Sequence, residues 1–388
     1  MTIAQGIYKK VAFAKETVFG QKALANAATL ARRVSMSLQL SKKAIDSNEI
    51  RDDHQKVSFQ YGPRIAEGDW NNEWSPGTYA EVQGSVLRRD FTAGPTVTGA
   101  VAVLANNVLS GPGFAALGFK PGHVVRAAGL AAAGDNARNL VVLAVAANTL
   151  TVFPLVGPAL TVAASAVDIT VALVGKHTFV PDAGHTNDSY TFEDWYSDIE
   201  DSEVFKGTRI GDMSIKVPAA GMAEVAFKLM AQDMESAEVR YFVTPAIAST
   251  TNALASSRGV YFVDGVAEDS LTEFSLDVKA DLSTVDVAFR STTPDIFRGI
   301  LDVSGQMSIL FKDGVVRDKF LAGQSVSIIA VLPLTDEPDS DFVAFRIPVA
   351  YLGGATKADG AKGIVQTVPF SARKLAGDTT IGLQDSTL

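Results

Sequence analysis

Four side chains between residues 177 and 188 are of the types that hold a metal ion: His177, Asp182, His185 and Asp188. Imidazole nitrogens and carboxylate oxygens make a metal site when a helix or hairpin fixes their geometry. These four lie in a stretch broken by Pro181 and Gly184, so a turn-rich loop is the stronger reading. The run Asp336-Glu337-Pro338-Asp339-Ser340-Asp341 offers oxygens suited to calcium but reads as a solvated hairpin turn. The polar loop 41–56 sets Asp46, Glu49, Asp52 and Asp53 among Lys42, Lys43, Arg51 and Lys56. Nothing apolar surrounds these carboxylates to tune one for acid–base work. Gly354 to Lys362 departs from a phosphate-binding loop, because its glycines are misplaced and Gly363 stands where Ser or Thr is required. The chain has no GxSxG elbow, no HExxH helix and no EF-hand loop. These residues imply no enzyme and no cofactor.

Composition narrows the class further. The chain has 388 residues, of which 47% are hydrophobic and 20% charged, and this suits folded domains with sizeable cores. Cysteine is absent, which removes disulfides, thiolate zinc sites and a thiol nucleophile, and is compatible with a cytoplasmic route of assembly. A net charge of −9 argues against a surface that grips nucleic acid through its phosphates, though not against one that nucleic acid slides past. Lys15 and Glu16 interrupt any secretory signal near the start. The uncharged run 139–167 is broken by Asn148, Pro154, Gly157 and Pro158, so no membrane insertion is expected.

The elements that would position a functional surface are strands. Phe274, Leu276 and Val278 alternate with Ser275, Asp277 and Lys279. Val285, Val287 and Phe289 alternate with Asp286, Ala288 and Arg290. Leu301, Val303, Met307 and Ile309 alternate with Asp302, Ser304, Gln306 and Ser308. Period two predicts strands with one buried and one wet face. Val315, Val316 and Phe320 predict the inward side of a short helix opened by Asp313-Gly314. Strand 65–74 carries Glu67, Asp69, Asn71 and Glu73 on one face, with Trp70 and Trp74 on the other. Asp212 and Glu224 occupy the polar side of later strands, diluted by Lys216 and Lys228.

The layout occurs twice. Met36-Ser37-Leu38 matches Phe274-Ser275-Leu276, and Val57-Ser58-Phe59-Gln60 matches Val287-Ala288-Phe289-Arg290. Ile65 through Gly68 to Trp70 matches Ile296 through Gly299 to Leu301. Ile215-Lys216-Val217-Pro218 matches Phe345-Arg346-Ile347-Pro348. A helix opened by Ser75-Pro76, with Tyr79, Val82 and Val86 inward, parallels the one after Asp313-Gly314. The fold class expected is all-β with minor α: two β-sandwich units, each with one flanking helix, and a small inserted β-barrel or sandwich. The expected divisions are an N-terminal arm 1–31, a first unit 32–92 and 181–233, an insertion 93–180, a linker 234–258, a second unit 259–375 and a polar tail 376–388. The arm is expected to fold only on contact with a neighbour, and loop 41–56 to have only a short counterpart in the second unit. The insertion is rich in Ala, Gly and Val, with apolar runs at 123–128, 140–146, 149–153 and 167–173 separated by turn signals.

Ser47-Asn48-Glu49-Ile50-Arg51-Asp52-Asp53-His54-Gln55 after a first strand, then Gly62, Gly68 and the Ser75-Pro76 helix start, resemble the tail tube (major tail) proteins of long-tailed bacteriophages. The stretches GFKPGHVVRAAG and NARNLVVLAVAANTLTV of the insertion add to the resemblance, which covers most of 8–375. It implies a non-enzymatic virion protein of the phage tail, whose copies join strand to strand into rings that stack into the channel for genome ejection. Two units in one chain imply a homo-trimeric, pseudo-hexameric ring. Implied partners are further copies of the chain, a tape-measure protein, tail-terminator and baseplate proteins, and phage DNA passing without specific binding. On this reading the wall of the lumen carries Glu67, Asp69, Asn71, Glu73, Asp212, Glu224, Asp302, Ser304, Gln306 and Ser308, and the insertion decorates the outside.

Two other classes are set against it. An adhesin or baseplate module would use the insertion to bind a surface, but only Phe114, Phe119, Phe153 and Phe179 supply aromatic rings there. A hydrolase would need a nucleophile–base pattern, which the motifs do not provide.

Overall fold

The structure, a computed structural model, describes residues 3–50, 52–56, 58–358 and 363–388. Arg51, Val57 and 359–362, which the sequence reading places in the two polar loops and in the Val57–Gln60 match, lie outside the described residues, as do Met1 and Thr2. The main elements are β1 (Lys9–Lys15), β2 (Gln39–Asp46), β3 (Phe59–Glu73) and α1 (Ala80–Leu87). A barrel follows, made of β4 (Thr96–Leu104), β5 (Val108–Ser110), β6 (Val124–Ala128), β7 (Leu140–Val145), β8 (Thr149–Pro154) and β9 (Ala163–Leu173). Then come β10 (Lys176–Phe179), β11 (Tyr190–Tyr196), β12 (Asp201–Val217) and β13 (Glu224–Ala231). The second half holds β14 (Val260–Val263), β15 (Leu271–Lys279), β16 (Leu282–Thr284), β17 (Ile296–Arg298), β18 (Asp302–Leu310) and α2 (Val315–Leu321). It ends with β19 (Ser325–Pro333), β20 (Phe342–Leu352), β21 (Thr356–Lys357), β22 (Val365–Ala372) and β23 (Gly382–Asp385).

One antiparallel sheet runs across both halves in the order β2, β3, β13, β12, β15, β18, β22, β21. The halves meet where β12 pairs with β15, Ile215 opposite Leu276. The two hairpins have the same register. Leu40 faces Ala66 as Val278 faces Val303, Ala44 faces Tyr61 as Leu282 faces Arg298, and Asp46 faces Phe59 as Thr284 faces Ile296. Trp70 lies opposite Phe227 as Met307 lies opposite Val368, and Gly68 opposite Leu229 as Gly305 opposite Phe370. Both glycines are required by close approach. A Cβ on Gly68 would lie 2.5 Å from the Leu38 backbone, and one on Gly305 would lie 2.2 Å from the Ser275 carbonyl oxygen.

The match of Met36–Leu38 with Phe274–Leu276 therefore holds in register, whereas the three others slide, and Phe59 corresponds to Ile296 rather than Phe289. Gly68 corresponds to Gly305 rather than Gly299. The bulge after Tyr190 opposite Thr208 recurs after Val326 opposite Ala350, which sets Ile215 against Lys357 rather than Phe345. Residues 285–289 form no strand. They are exposed and belong to an eleven-residue loop, 285–295, between β16 and β17. Alternation alone misled there, because a hairpin tip has no sheet face to bury. The loop after β2 thus has a counterpart of nearly equal length, not a short connection.

A second layer covers the apolar face of this sheet. In the first half it comprises β1, β11 and the N-terminal part of β12, and in the second β14, β19, β20, β23 and β10. Three expectations are corrected here. The stretch expected as an arm contains β1, which pairs along its whole length with β11. Phe13 stacks on Phe192 at 5.4 Å and meets Trp70 edge-on at 5.5 Å. Buried Glu16 accepts hydrogen bonds from Gly207 N (2.8 Å), Gly20 N (3.0 Å), Ser189 Oγ (2.7 Å) and Thr191 Oγ1 (2.9 Å), as a buried carboxylate must. Lys9–Lys15 is therefore part of the sandwich and not a free segment. The expected tail contains β23, buried between β20 and β10. In the expected linker, Asp233–Ala237 pairs with β12.

The insertion is a closed barrel in the order β7, β8, β5, β4, β9, β6, with its own core around Phe114, Phe119, Leu140 and Val171. It is seated on the outer side of the second layer. Val124, Val141 and Phe153 pack against Phe262, Ile329, Val331 and Phe342, away from the polar face of the long sheet. The chain leaves and returns at one point, where Leu173 N donates to Pro95 O at 3.0 Å. Excising 97–172 with a short Gly/Ser bridge should therefore leave a folded two-layer sandwich that binds a hydrophobic dye on the uncovered Ile329–Phe342 face. Loss of the cooperative near-ultraviolet transition would show the barrel to be part of the sandwich core instead.

Candidate functional surface

The long sheet has one face in the core and one in solvent, and alternation assigns each residue to its side. Glu67, Asp69, Asn71, Glu73 and Glu224 are exposed, as are Asp302 and Gln306, while Asp212 and Ser304 are half-buried. Strand pairing brings all of them onto one surface, since Glu73 faces Glu224 and Asn71 faces Ala226, whose other neighbour is Ser214. Ser308 shares the row but is 7% exposed, its hydroxyl 3.1 Å from Thr367 Oγ1. It does not present a wet surface in the isolated chain, because Glu273 and Thr367 flank it on both sides.

Three further acidic or polar groups join this face from β15: Glu273, Ser275 and Asp277. The alternation of β15 was legible in the sequence; its position at the centre of the sheet was not. Ser214 Oγ donates to Asp277, and Asp212 accepts from Ala280 N at 3.1 Å. Lysines are interleaved with the carboxylates. Lys228 lies between Asp69 and Asp212, Lys216 lies beside Glu224 and 3.4 Å from Glu273, and Lys279 lies opposite Asp302. Carboxylates Glu67, Asp69, Glu73, Asp212, Glu224, Glu273, Asp277 and Asp302 thus outnumber the ammonium groups of Lys216, Lys228 and Lys279. The face is mildly negative, and such exposed pairs contribute little to stability. A shallow recess lies on it between Asp69, Asp212, Lys228 and Asp277.

The histidine-bearing stretch is dispersed. Asp182 pairs with Lys374 at 2.8 Å and Asp188 with Lys15 at 2.9 Å. Among the described residues no group of three His, Cys, Asp or Glu side chains is placed to hold a metal ion. His177 instead meets His123 of the barrel edge-on, ring centres 5.2 Å apart, at the seam near the Arg346–Asp378 ion pair. Burial holds the His123 imidazole well below its ordinary range, helped by Arg346, and burial beside Arg89 and Arg346 takes His177 down to about 4. Both rings are therefore neutral in the folded chain while the unfolded chain protonates near 6.5. As pH falls from 6.5 towards 4 the unfolded state takes up protons that the folded state refuses. Stability drops through that window by at most about 1.4 kcal/mol per pH unit for each ring and is fully present above it. Urea denaturation between pH 7 and 4.5 should accordingly show a shallower pH slope for His177→Gln than for the parent chain. Parallel slopes would mean that the seam is not what senses pH.

No helix among the described residues is long and apolar enough to cross a membrane. A family model described as "Phage tail tube protein" matches residues 9–372, spanning both sheet halves and the barrel. None of the curated proteins matches the chain.

Proposed function

Because the chain belongs to the phage tail tube protein family and is a structural protein of the phage tail, we propose that it polymerises as stacked rings whose long sheet lines the channel for genome ejection. The observation that carries this reading is the continuous sheet with one polar face and two open ends. At one end the outer edge of Ser35–Leu38 has no strand partner, and at the other neither has the outer edge of β21, among the described residues. Open edges invite further strands, and closure into a ring removes them. The internal joint supplies the geometry. In shared register β21 stands where the second half of β12 stands, and Leu38 stands where Leu276 stands. A Lys357–Leu38 pairing between copies would repeat the Ile215–Leu276 pairing within one chain. Three copies would then give six units around the lumen. Tape-measure, terminator and baseplate proteins are the partners such a tube requires, the barrel lies on its outside, and assembly takes place in the host cytoplasm.

The same reading gives the polar face its role. Duplex DNA in a channel must not adhere, and a mild excess of carboxylates repeated around a ring opposes phosphate contact within about 8 Å at physiological salt. The lumen wall proposed is Glu67, Asp69, Asn71, Glu73, Asp212, Glu224, Asp302, Ser304 and Gln306, with Ser308 beneath it. Replacing Glu67, Asp69 and Glu73 together by Lys should leave assembly intact but make tubes retain DNA at low salt and slow ejection from particles. Unaltered ejection at low salt, with the lysines verified in assembled tubes, would place these residues away from the DNA path. An adhesin reading gains no support, since Phe114 and Phe119 are buried in the barrel core and Phe153 in the barrel seat.

A further inference from the structure

The two helices that correspond in the repeat differ in their surroundings. α1 is buried at every position but Glu81, and its C-terminus is held by the second half of the same chain. Arg298, at the end of the β16–β17 hairpin, donates to Ser85 O at 2.7 Å and to Ser85 Oγ at 3.2 Å, while Arg88 donates to Gly299 O at 3.2 Å. Leu282 of that hairpin covers Gly211 of β12, such that a Cβ at 211 would lie 3.5 Å from the Leu282 Cβ. Arg209 beside it pairs with Asp295 at 2.6 Å. Ile296 in this joint is 1% exposed.

α2 has no such cover. Val315, Phe320 and Leu321 are 51%, 42% and 73% exposed, although the sequence pattern predicts an inward side, and Tyr351 near the end of β20 is also exposed. The hairpin formed by β2 and β3 is equally bare. Phe59, in the register of Ile296, is 51% exposed, and Tyr61, in the register of Arg298, is 68% exposed. Each uncovered surface is the counterpart of one half of the internal joint. By the shared register Tyr351 replaces Arg209, Gly353 replaces Gly211 and Ala44 replaces Leu282, and aligning the starts of the helices, Ala80 with Val315, sets Phe320 where Ser85 stands.

We infer that the β2–β3 hairpin of one copy latches onto α2 and the end of β20 in the next copy, repeating between chains the clasp that the β16–β17 hairpin makes within a chain. The occupant is a second copy of this chain because the fold already contains the clasp once, and because both of its halves recur unpaired at opposite ends of the same sheet. The chemistry differs in a way that suits its place. The internal clasp is built from Arg88, Arg209 and Arg298, whereas the clasp between copies is aromatic and aliphatic. Contacts of that kind form by burying apolar area and strengthen as copies assemble. The inference rests on the ring reading above and adds a specific contact to it.

The absence of cysteine in the chain makes the test direct. The 3.5 Å spacing at Gly211 and Leu282 falls in the range a disulfide needs, so Ala44→Cys with Gly353→Cys should form a disulfide between copies on oxidation of assembled protein. Covalent dimers and trimers on denaturing gels are expected. A reference pair, Gln39→Cys with Thr356→Cys, reports sheet closure alone, standing where Asp277 and Ser214 pair internally. Linkage of the reference pair without linkage of the 44–353 pair would overturn the latch and leave the ring; failure of both would overturn the ring and the latch with it. Should the Gly353→Cys chain fail to fold, Phe59→Ser with Tyr61→Ser serves instead. It should raise the protein concentration needed for assembly about tenfold or more without lowering the melting temperature of the monomer. An unchanged assembly threshold would overturn the latch.

Discussion

The structure depends on one strand pairing, that of β12 with β15. It joins two copies of a small β unit edge to edge, and so turns two sandwiches into a single sheet with one apolar and one polar face. Everything else follows from keeping that sheet in register. Gly68 and Gly305 let neighbouring backbones approach at equivalent points, and the second layer covers the apolar face. The price of the arrangement is two unsatisfied sheet ends, which a monomer has no means to close.

The polar face and the barrel seat lie on opposite sides of the sandwich, and their chemistry differs accordingly. Lysines are interspersed among the more numerous carboxylates of the polar face, most of them exposed, where pairing adds little stability and the excess negative charge survives. The barrel instead rests on Phe262, Ile329, Val331 and Phe342, with His123 and His177 held neutral at its margin. One surface stays wet, while the other is dry and aromatic and holds the barrel in place.

Much of this was legible in the sequence where periodicity was long. The strands of the second unit, the Trp70–Trp74 face, the site of the insertion and the Met36–Phe274 match were readable from alternation and turn residues. The strand proposed at 285–289 failed because Val285, Val287 and Phe289 alternate on a hairpin tip with nothing to pack on. The supposed arm failed because β1 is short and mixed in charge, and only the fold shows that Phe13 meets Trp70 and that Glu16 is sewn in by four donors. Repeat registers slid by as much as from Phe345 to Lys357 because identity is low and the ladder is fixed by tertiary pairing, which no single segment encodes. Alternation placed Glu67, Asp69, Asn71, Glu73, Asp212, Glu224, Asp302, Ser304 and Gln306 on the polar face of the sheet, whereas the central place of Asp277 and Glu273 depends on the β12–β15 joint, and Ser308 is covered by its neighbours.

The central claim is that the β12–β15 pairing is repeated between chains until the sheet closes. Native mass measurement of rings released from assembled tubes tests it most directly. Closure by two units per chain requires three copies of the 40.9 kDa chain in each ring. A ring of six copies would contradict the account, since it would mean that the two units do not occupy equivalent places around the channel.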